Sequence, residues 1–279
     1  VKNANKESAA LKLIASSRPL TIGHRGYCGI APENTLPSFQ RALEAGADVI
    51  ELDFRPSKDG VAMVIHDDTL DRTTDVRKRW ARAGVKVADA TAAEIRALDA
   101  GSWFDARFSG THVPLLTEAL QLIVGDGGTP LLERKSGDAA SAVRLLRALD
   151  LVNRVIVISF DWAYLREFHE LEPRQVLGAL GPTTHLVGGV RPSGHTRRLG
   201  RVWLENLAAT GAKIVVWNRE VAGEAIRLAH QRGLRVWVYT VNEPRLARQL
   251  IDKGADGIIT NRIGVIQNAL NSSNPGAGS

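Results

Sequence analysis

A chain of 279 residues with 44% hydrophobic content carries enough apolar material for one large domain, or one domain with a modest insert. One cysteine, Cys28, excludes an intrachain disulfide scaffold and a multi-cysteine metal site, and no stretch approaches the eighteen apolar residues of a membrane-spanning helix. The net charge of +6 is densest in DVRKRWARAGVK, residues 75–86. It suits attraction of anionic, phosphate-bearing small molecules, and no reader helix, zinc spacing or aromatic platform accompanies it to suggest nucleic acid.

In chain order, short apolar runs alternate with helical patterns. LTIGH (20–24) is followed by the helical TLPSFQRALEAGA, and VIELDF (49–54) by a four-residue turn, SKDG, and a second apolar run, VAMVIHD (61–67). A parallel crossover needs about a dozen residues, so that pair is predicted to be an antiparallel hairpin. Residues 68–112 fit no strand and helix unit. They hold the basic run, a short helix in TAAEIRALDAG and the aromatic stretch SWFDARF, and are predicted to form a small insertion over the site. VPLLTEALQLIV returns to the helical pattern. The strands PLLERK (130–135), VIVISF (155–160), QVLGAL (175–180), KIVVWN (213–218), RVWVYTV (235–241) and GIIT (257–260) then alternate with further helices. Three helices end in Gly just before the next strand, as a left-handed cap requires. PTTHLVGGVRPSGHTRRLG reads as a loop before the helix of VWLENLAATG.

Eight such units in this length predict a (β/α)8 TIM barrel, an α/β fold, with a doubly wound open sheet as the alternative. The barrel domain is expected over 18–266, with the insertion inside it, and a disordered tail over 267–279. The compartment stays open between cytoplasmic and exported.

In a barrel, strand ends and the loops after them carry the chemistry. Glu51 and Asp53 are two apart and share a strand face, as do Glu133 and Lys135. Three carboxylates converging at strand ends repel unless something positive lies between them. A hard divalent cation satisfies that need, with a surface ion-pair network as the alternative. His24 and His66, each beside a charged residue, are the candidate proton handlers. His112, His169, His185, His195 and His230 lack such company and read as surface or local structure, although His185 and His195 can also line the loop after the fifth strand. Glu33 is placed to reach inward to a metal or to Arg25. Thr35 or Asn34 can cap the following helix, and RTT (72–74) can pin the start of the insertion or form a solvated turn. Cys28 reads as a small filler rather than a nucleophile. Trp103, Phe104 and Phe108 in the insertion, with Trp217, Trp237 and Tyr239 at later strand ends, are candidate contacts for the apolar or alcohol part of a ligand. Barrel packing is the alternative for Trp237 and Tyr239.

HRGYCGIAPENT, ELDFRPSKDGVAMVIHDDTLDRTT, PLLTEAL, LLERK, VWVYTVN and GADGIITNR together resemble the glycerophosphodiester phosphodiesterase family, over residues 20–263. HRG, ENT, ExD, HDxxLxRTT and ExK occur in the family's order. The resemblance implies a (β/α)8 barrel with an insertion after the second strand. It implies hydrolysis of glycerophosphodiesters to sn-glycerol 3-phosphate and an alcohol, with Ca2+ or Mg2+. It implies metal ligands at Glu51, Asp53 and Glu133, catalytic histidines at His24 and His66, phosphate contacts from Arg25 and Lys135, and supporting roles for Glu33 and Asn34. Cys28 and Arg134 depart from the small and aliphatic residues common at those positions; on a strand Arg134 points away from the site. A lysophospholipase D-type or cyclic-phosphate-forming phosphodiesterase and, more distantly, a non-catalytic binding barrel are the other functions weighed. A small glycerophosphodiester or a lysophospholipid is the expected ligand.

Overall fold

The computed structural model describes residues 9–183, 187 and 197–271. Nine strands run through it: β1 (Leu20–Gly23), β2 (Val49–Pro56), β3 (Ala62–Val64), β4 (Pro130–Arg134), β5 (Ile156–Ser159), β6 (Val176–Gly181), β7 (Ile214–Asn218), β8 (Arg235–Tyr239) and β9 (Gly257–Thr260). Their order is β1-β9-β8-β7-β6-β5-β4-β2-β3, and β1 also pairs with β2. The strand order therefore closes on itself through eight parallel strands, with β3 attached outside the ring; this is the (β/α)8 barrel fold. β1, β5 and β9 are buried along their whole length, as strands covered on both faces are. Among the described residues no helix is long and apolar enough to cross a membrane.

The chain divides into two compact units, Ile22–Gly137 with Thr260–Val265, and Val1–Thr21 with Asp138–Ile259 and Ile266–Ser279. In the first, β2 is the organising strand. It pairs in parallel with β1, Ile22 opposite Val49, and with β4, where Asp53 stands opposite Glu133. The predicted hairpin is present: β3 runs antiparallel to β2, with Phe54 opposite Val64 and Pro56 opposite Ala62. The helix Leu36–Glu44 is capped by Thr35, whose side chain accepts from the Ser38 N–H, and the chain leaves it through Gly46 at φ 70°. After β3 the insertion packs Leu70, Val76, Val85, Val87, Ile95 and Leu98 into an apolar cluster with Met63 of β3 and Ile65. Its short helix Ala92–Arg96 starts in a capping box of Thr91 and Glu94.

In the second unit, β5 to β8 alternate with the helices Ala139–Ala148, Trp162–Leu171, Arg201–Ala208 and Gly223–His230, and Pro244–Asp252 follows β8. Trp162, Trp203 and Trp217 pack edge to face, with centroids 5.7 and 5.3 Å apart. A helix at Ala9–Ile14 precedes the expected domain start at 18. The helix Ile263–Asn271 occupies the first part of the stretch expected to be a disordered tail from 267. Its alternation of Ile263, Val265, Ile266 and Ala269 with small and polar residues is short enough to pass for a tail.

Candidate active site

The chemistry-bearing residues from the first three barrel strands and their loops lie within the first compact unit. Glu51 and Asp53 point to one face of β2, and the β2–β4 register sets Glu133 beside Asp53. All three are buried, and one carboxylate oxygen from each lies within 4.8 Å of the others. Asp53 is tied by Asn34, whose Nδ2 donates to Oδ2 at 2.7 Å while its Oδ1 accepts from the Asp53 N–H at 3.1 Å. Glu51 Oε2 accepts from the Arg25 N–H at 2.6 Å. Glu51 Oε1 has no hydrogen-bond partner, and Asp53 Oδ1 is met only by the Lys135 ammonium. Buried acceptors are rarely left so. Two cations face the cluster: Lys135 Nζ lies 3.2 Å from Asp53 Oδ1 and also contacts Glu133, and Arg25 Nε lies 3.4 Å from Asp53 Oδ2.

The electrostatics follow. Burial, then repulsion from Asp53 and Glu133, pushes the Glu51 carboxyl well above the usual range. Burial and Asp53 push Glu133 up to about 7, against Lys135. Burial works in the same direction on Asp53, but Lys135 and Arg25 outweigh it and hold that carboxyl low. Three buried carboxylates against two cations leave the cluster short of positive charge. An all-oxygen donor set in which Glu51 Oε1 is left orphaned fits a hard divalent cation. The surface ion-pair alternative does not hold, since Glu51, Asp53 and Glu133 are each less than a tenth exposed.

The loop after β1 is bent tightly to bring its residues here. Arg25 and Asn34 are non-glycine residues at positive φ, 51° and 57°, and are joined by the Asn34 N–H to Arg25 carbonyl bond at 3.1 Å. Gly26 has φ 81°, and a Cβ there would stand 2.4 Å from Ser38 Oγ. His24 follows β1 with its Nδ1 2.7 Å from Asn261 Oδ1, an acceptor, so Nδ1 carries the proton and Nε2 is left for chemistry. Burial, then Arg25, lowers the His24 pKa to about 4, so the ring is neutral at neutral pH. His66 stands just past β3, its Nδ1 2.7 Å from Asp67 Oδ1, which likewise leaves Nε2 for chemistry. Glu33 reaches Arg25, the second of its two expected directions, accepting from Nη1 at 2.7 Å.

Asp67, Arg72 and Asn261 were not singled out by role in the sequence. Each stands in a quoted motif, HDxxLxRTT or GIITNR; Arg72 and Asn261 also meet partners on distant segments, Glu33 and His24, which spacing alone does not expose. Among the candidate ligand contacts, Trp103 is exposed and stacks edge to face on Phe104, which stacks on Phe108. Trp217 and Trp237 are fully buried in the second unit, and Trp217 Nε1 donates to the Arg197 carbonyl at 3.0 Å. Their burial agrees with the barrel-packing alternative for Trp237 and extends it to Trp217: one-sided strand residues and core residues look alike in an apolar run. Tyr239 is half-buried, its hydroxyl donating to the Gly181 carbonyl at 2.8 Å. Arg134 turns aside, donating from Nε to the Gly137 carbonyl at 2.9 Å. His230 pairs with Asp256 at 2.8 Å. His185 and His195 lie outside the described residues.

Three kinds of likeness converge on this geometry. Residues 24–265 match the model of the glycerophosphoryl diester phosphodiesterase family. A glycerophosphodiester phosphodiesterase of Caldanaerobacter subterraneus is 32% identical over 249 residues, covering 87% of this chain and 94% of that protein. The crystal structure of a glycerophosphoryl diester phosphodiesterase from Silicibacter pomeroyi, named there as putative, superposes with a TM-score of 0.81 at 32% identity, over 95% of this chain and 98% of that one. A phosphodiesterase from Oleispira antarctica, solved in complex with the product sn-glycerol-3-phosphate, superposes with a TM-score of 0.78 at 28% identity, over 92% and 99%.

Proposed function

The chain belongs to the glycerophosphoryl diester phosphodiesterase family and is an enzyme of that class, and from that premise we propose that it hydrolyses glycerophosphodiesters to sn-glycerol 3-phosphate and an alcohol in a metal-dependent reaction. The observation that carries this is the buried triad of Glu51, Asp53 and Glu133, with Glu51 Oε1 unsatisfied, in one compact unit with His24 and His66. The product named for the Oleispira relative supports the same substrate class.

Glu51, Asp53 and Glu133 would hold one Ca2+ or Mg2+. When bound, such an ion polarises a phosphoryl oxygen and neutralises charge that develops in the transition state. Arg25 and Lys135 bind the phosphate oxygens and keep the diester oriented. His24, neutral and with Nε2 bare, takes the proton from the nucleophile, which is water or the glycerol 2-hydroxyl. Burial lowers the His66 pKa, against the raising effects of Asp53 and Asp67; in its protonated form His66 returns a proton to the leaving alkoxide from its own Nε2. Attack by the 2-hydroxyl passes through a cyclic phosphate that water opens.

A second substrate range has one observation in its favour. The exposed Trp103 and its stacked neighbours Phe104 and Phe108 offer an apolar face to a lysophospholipid chain. The test is phosphorus NMR of sn-glycero-3-phosphocholine and of lysophosphatidylcholine with the metal-loaded enzyme. Glycerol 3-phosphate formed from the first, and lost in His24→Ala and in His66→Ala, is the expected result. A lasting cyclic phosphate assigns the rival chemistry, and turnover of the lysophospholipid alone assigns the apolar substrate. Binding without turnover of either would reject catalysis.

A further inference from the structure

We propose that Arg72 is the positioning residue of this site: from the insertion it clamps two carboxylates, each of which holds one of the working side chains. The inference rests on the hydrolytic reading above.

The geometry is a continuous chain of charge-assisted bonds. Arg72 Nε donates to Asp67 Oδ2 at 2.7 Å and Nη2 to Asp67 Oδ1 at 3.0 Å. On its other edge Nη1 donates to Glu33 Oε2 at 2.8 Å and Nη2 to Glu33 Oε1 at 2.7 Å. One planar guanidinium therefore makes two bidentate pairs, with carboxylates from segments 39 residues apart in the chain for Glu33 and five apart for Asp67. Beyond Asp67 stands the His66 ring, and beyond Glu33 stands Arg25. Arg25 in turn reaches Glu51 and Asp53 through its N–H and Nε.

Each link has a chemical consequence. A carboxylate is acceptor only, so Asp67 held by Arg72 keeps the His66 proton on Nδ1 and its Nε2 aimed at chemistry. Glu33 held by Arg72 fixes the Arg25 fork in the plane needed for a phosphate. Without Arg72, Asp67 and Glu33 each lose two donors and keep only His66 and Arg25 respectively, and Glu33 is only 12% exposed, so its surplus charge would draw Arg25 away from phosphate. Lysine cannot replace the clamp, because a single ammonium lacks the two flat edges that the carboxylates grip. The insertion thereby acquires a role that its aromatic patch alone does not give it: it delivers the residue that aligns acid and phosphate binder together.

The experiment compares Arg72→Ala, Arg72→Lys, Asp67→Asn and Glu33→Gln in the metal-loaded enzyme with glycerophosphocholine. Misalignment of this kind costs on the order of 10- to 100-fold. Arg72→Ala is expected to lose that in kcat/KM, divided between kcat and KM, and Arg72→Lys to recover little of it. Asp67→Asn is expected to fall mainly in kcat and Glu33→Gln to rise mainly in KM. Free guanidinium is expected to restore part of the activity of Arg72→Ala and none of that of Asp67→Asn. A second readout needs no substrate: the His66 Nδ1 proton should give a downfield NMR resonance that broadens or vanishes in Arg72→Ala. Loss of that resonance in a protein that hydrolyses no glycerophosphodiester would leave the clamp standing and reject the substrate reading. Unchanged kinetics and an unchanged resonance would overturn the clamp, as would a loss of activity that tracks a lowered melting temperature and resists guanidinium.

Discussion

At Glu51 the chain places a carboxyl where it is least comfortable. Burial, Asp53 and Glu133 all favour its protonated form, and only the Arg25 N–H and side chain oppose them. A carboxyl raised in this way weakens the metal-free fold as pH rises. Glu51→Gln is therefore expected to leave the metal-free protein as stable as the parent or more so, while metal-dependent kcat/KM falls by about 100-fold or more. Thermal melts with and without Ca2+ or Mg2+ check both halves. Cys28 gives the opposite kind of residue. Burial, then the Glu33 charge, pushes its thiol up to about 12, so almost none is thiolate at pH 8. Iodoacetamide should leave the native protein unlabelled at that pH, and Cys28→Ala should keep its turnover. Much of this scale was legible beforehand. The i, i+2 spacings of Glu51 with Asp53 and of Glu133 with Lys135 dictate shared strand faces. Arg72 and Asn261 were not legible in role, because they acquire it through Glu33 and His24, brought from other segments, and Asp67 was not because its tie to Arg72 depends on how the loop between them folds.

The β2–β3 hairpin and the loop after β1 carry the site, and both tolerate little. Gly26 sits at φ 81° with Ser38 backbone and side-chain atoms where a Cβ would stand, at 2.4 to 2.8 Å. Gly26→Ala is expected to cost at least about 1–3 kcal/mol in urea unfolding and to lower activity as well, because Arg25 and the loop to Asn34 must shift. The hairpin was predictable because a four-residue turn excludes a parallel crossover. The part of the 263–271 helix beyond 266 was not legible because its pattern is short, and the burial of Trp217 and Trp237 was not, because an apolar run does not reveal which side a ring faces. Away from the site, Glu172 ties the end of helix Trp162–Leu171 to Arg147 at 2.9 Å and to Arg174 at 2.8 Å. Hydrogen bonds from Arg174, then Arg147, hold its carboxyl near 2 against the opposing effect of burial. A depressed carboxyl stabilises the fold above its ordinary range, and that contribution is lost as pH falls through about 2. Both arginines are largely exposed, so Glu172→Gln should cost only about 1 kcal/mol at pH 7. The difference from the parent should close between pH 4.5 and 2, as followed by thermal melts.

Across the molecule, the alternation of apolar runs and helical patterns pointed to the (β/α)8 barrel before any coordinate, because buried parallel strands and amphipathic helices have different periods. The 36 basic residues against 30 acidic ones suit an anionic substrate, yet the reacting centre itself is acidic. A cation that binds only the native cluster must stabilise the fold by mass action, by about 2.7 kcal/mol at a hundredfold excess over Kd. The central claim is that this acidic centre makes hydrolysis of glycerophosphodiesters depend on a divalent ion. Turnover of sn-glycero-3-phosphocholine by metal-stripped protein, with Ca2+ or Mg2+ added back and His24→Ala alongside, tests it most directly. Release of glycerol 3-phosphate only when metal is restored, and not in the variant, is the predicted result. Undiminished release from the stripped protein, or none with either ion, would contradict it.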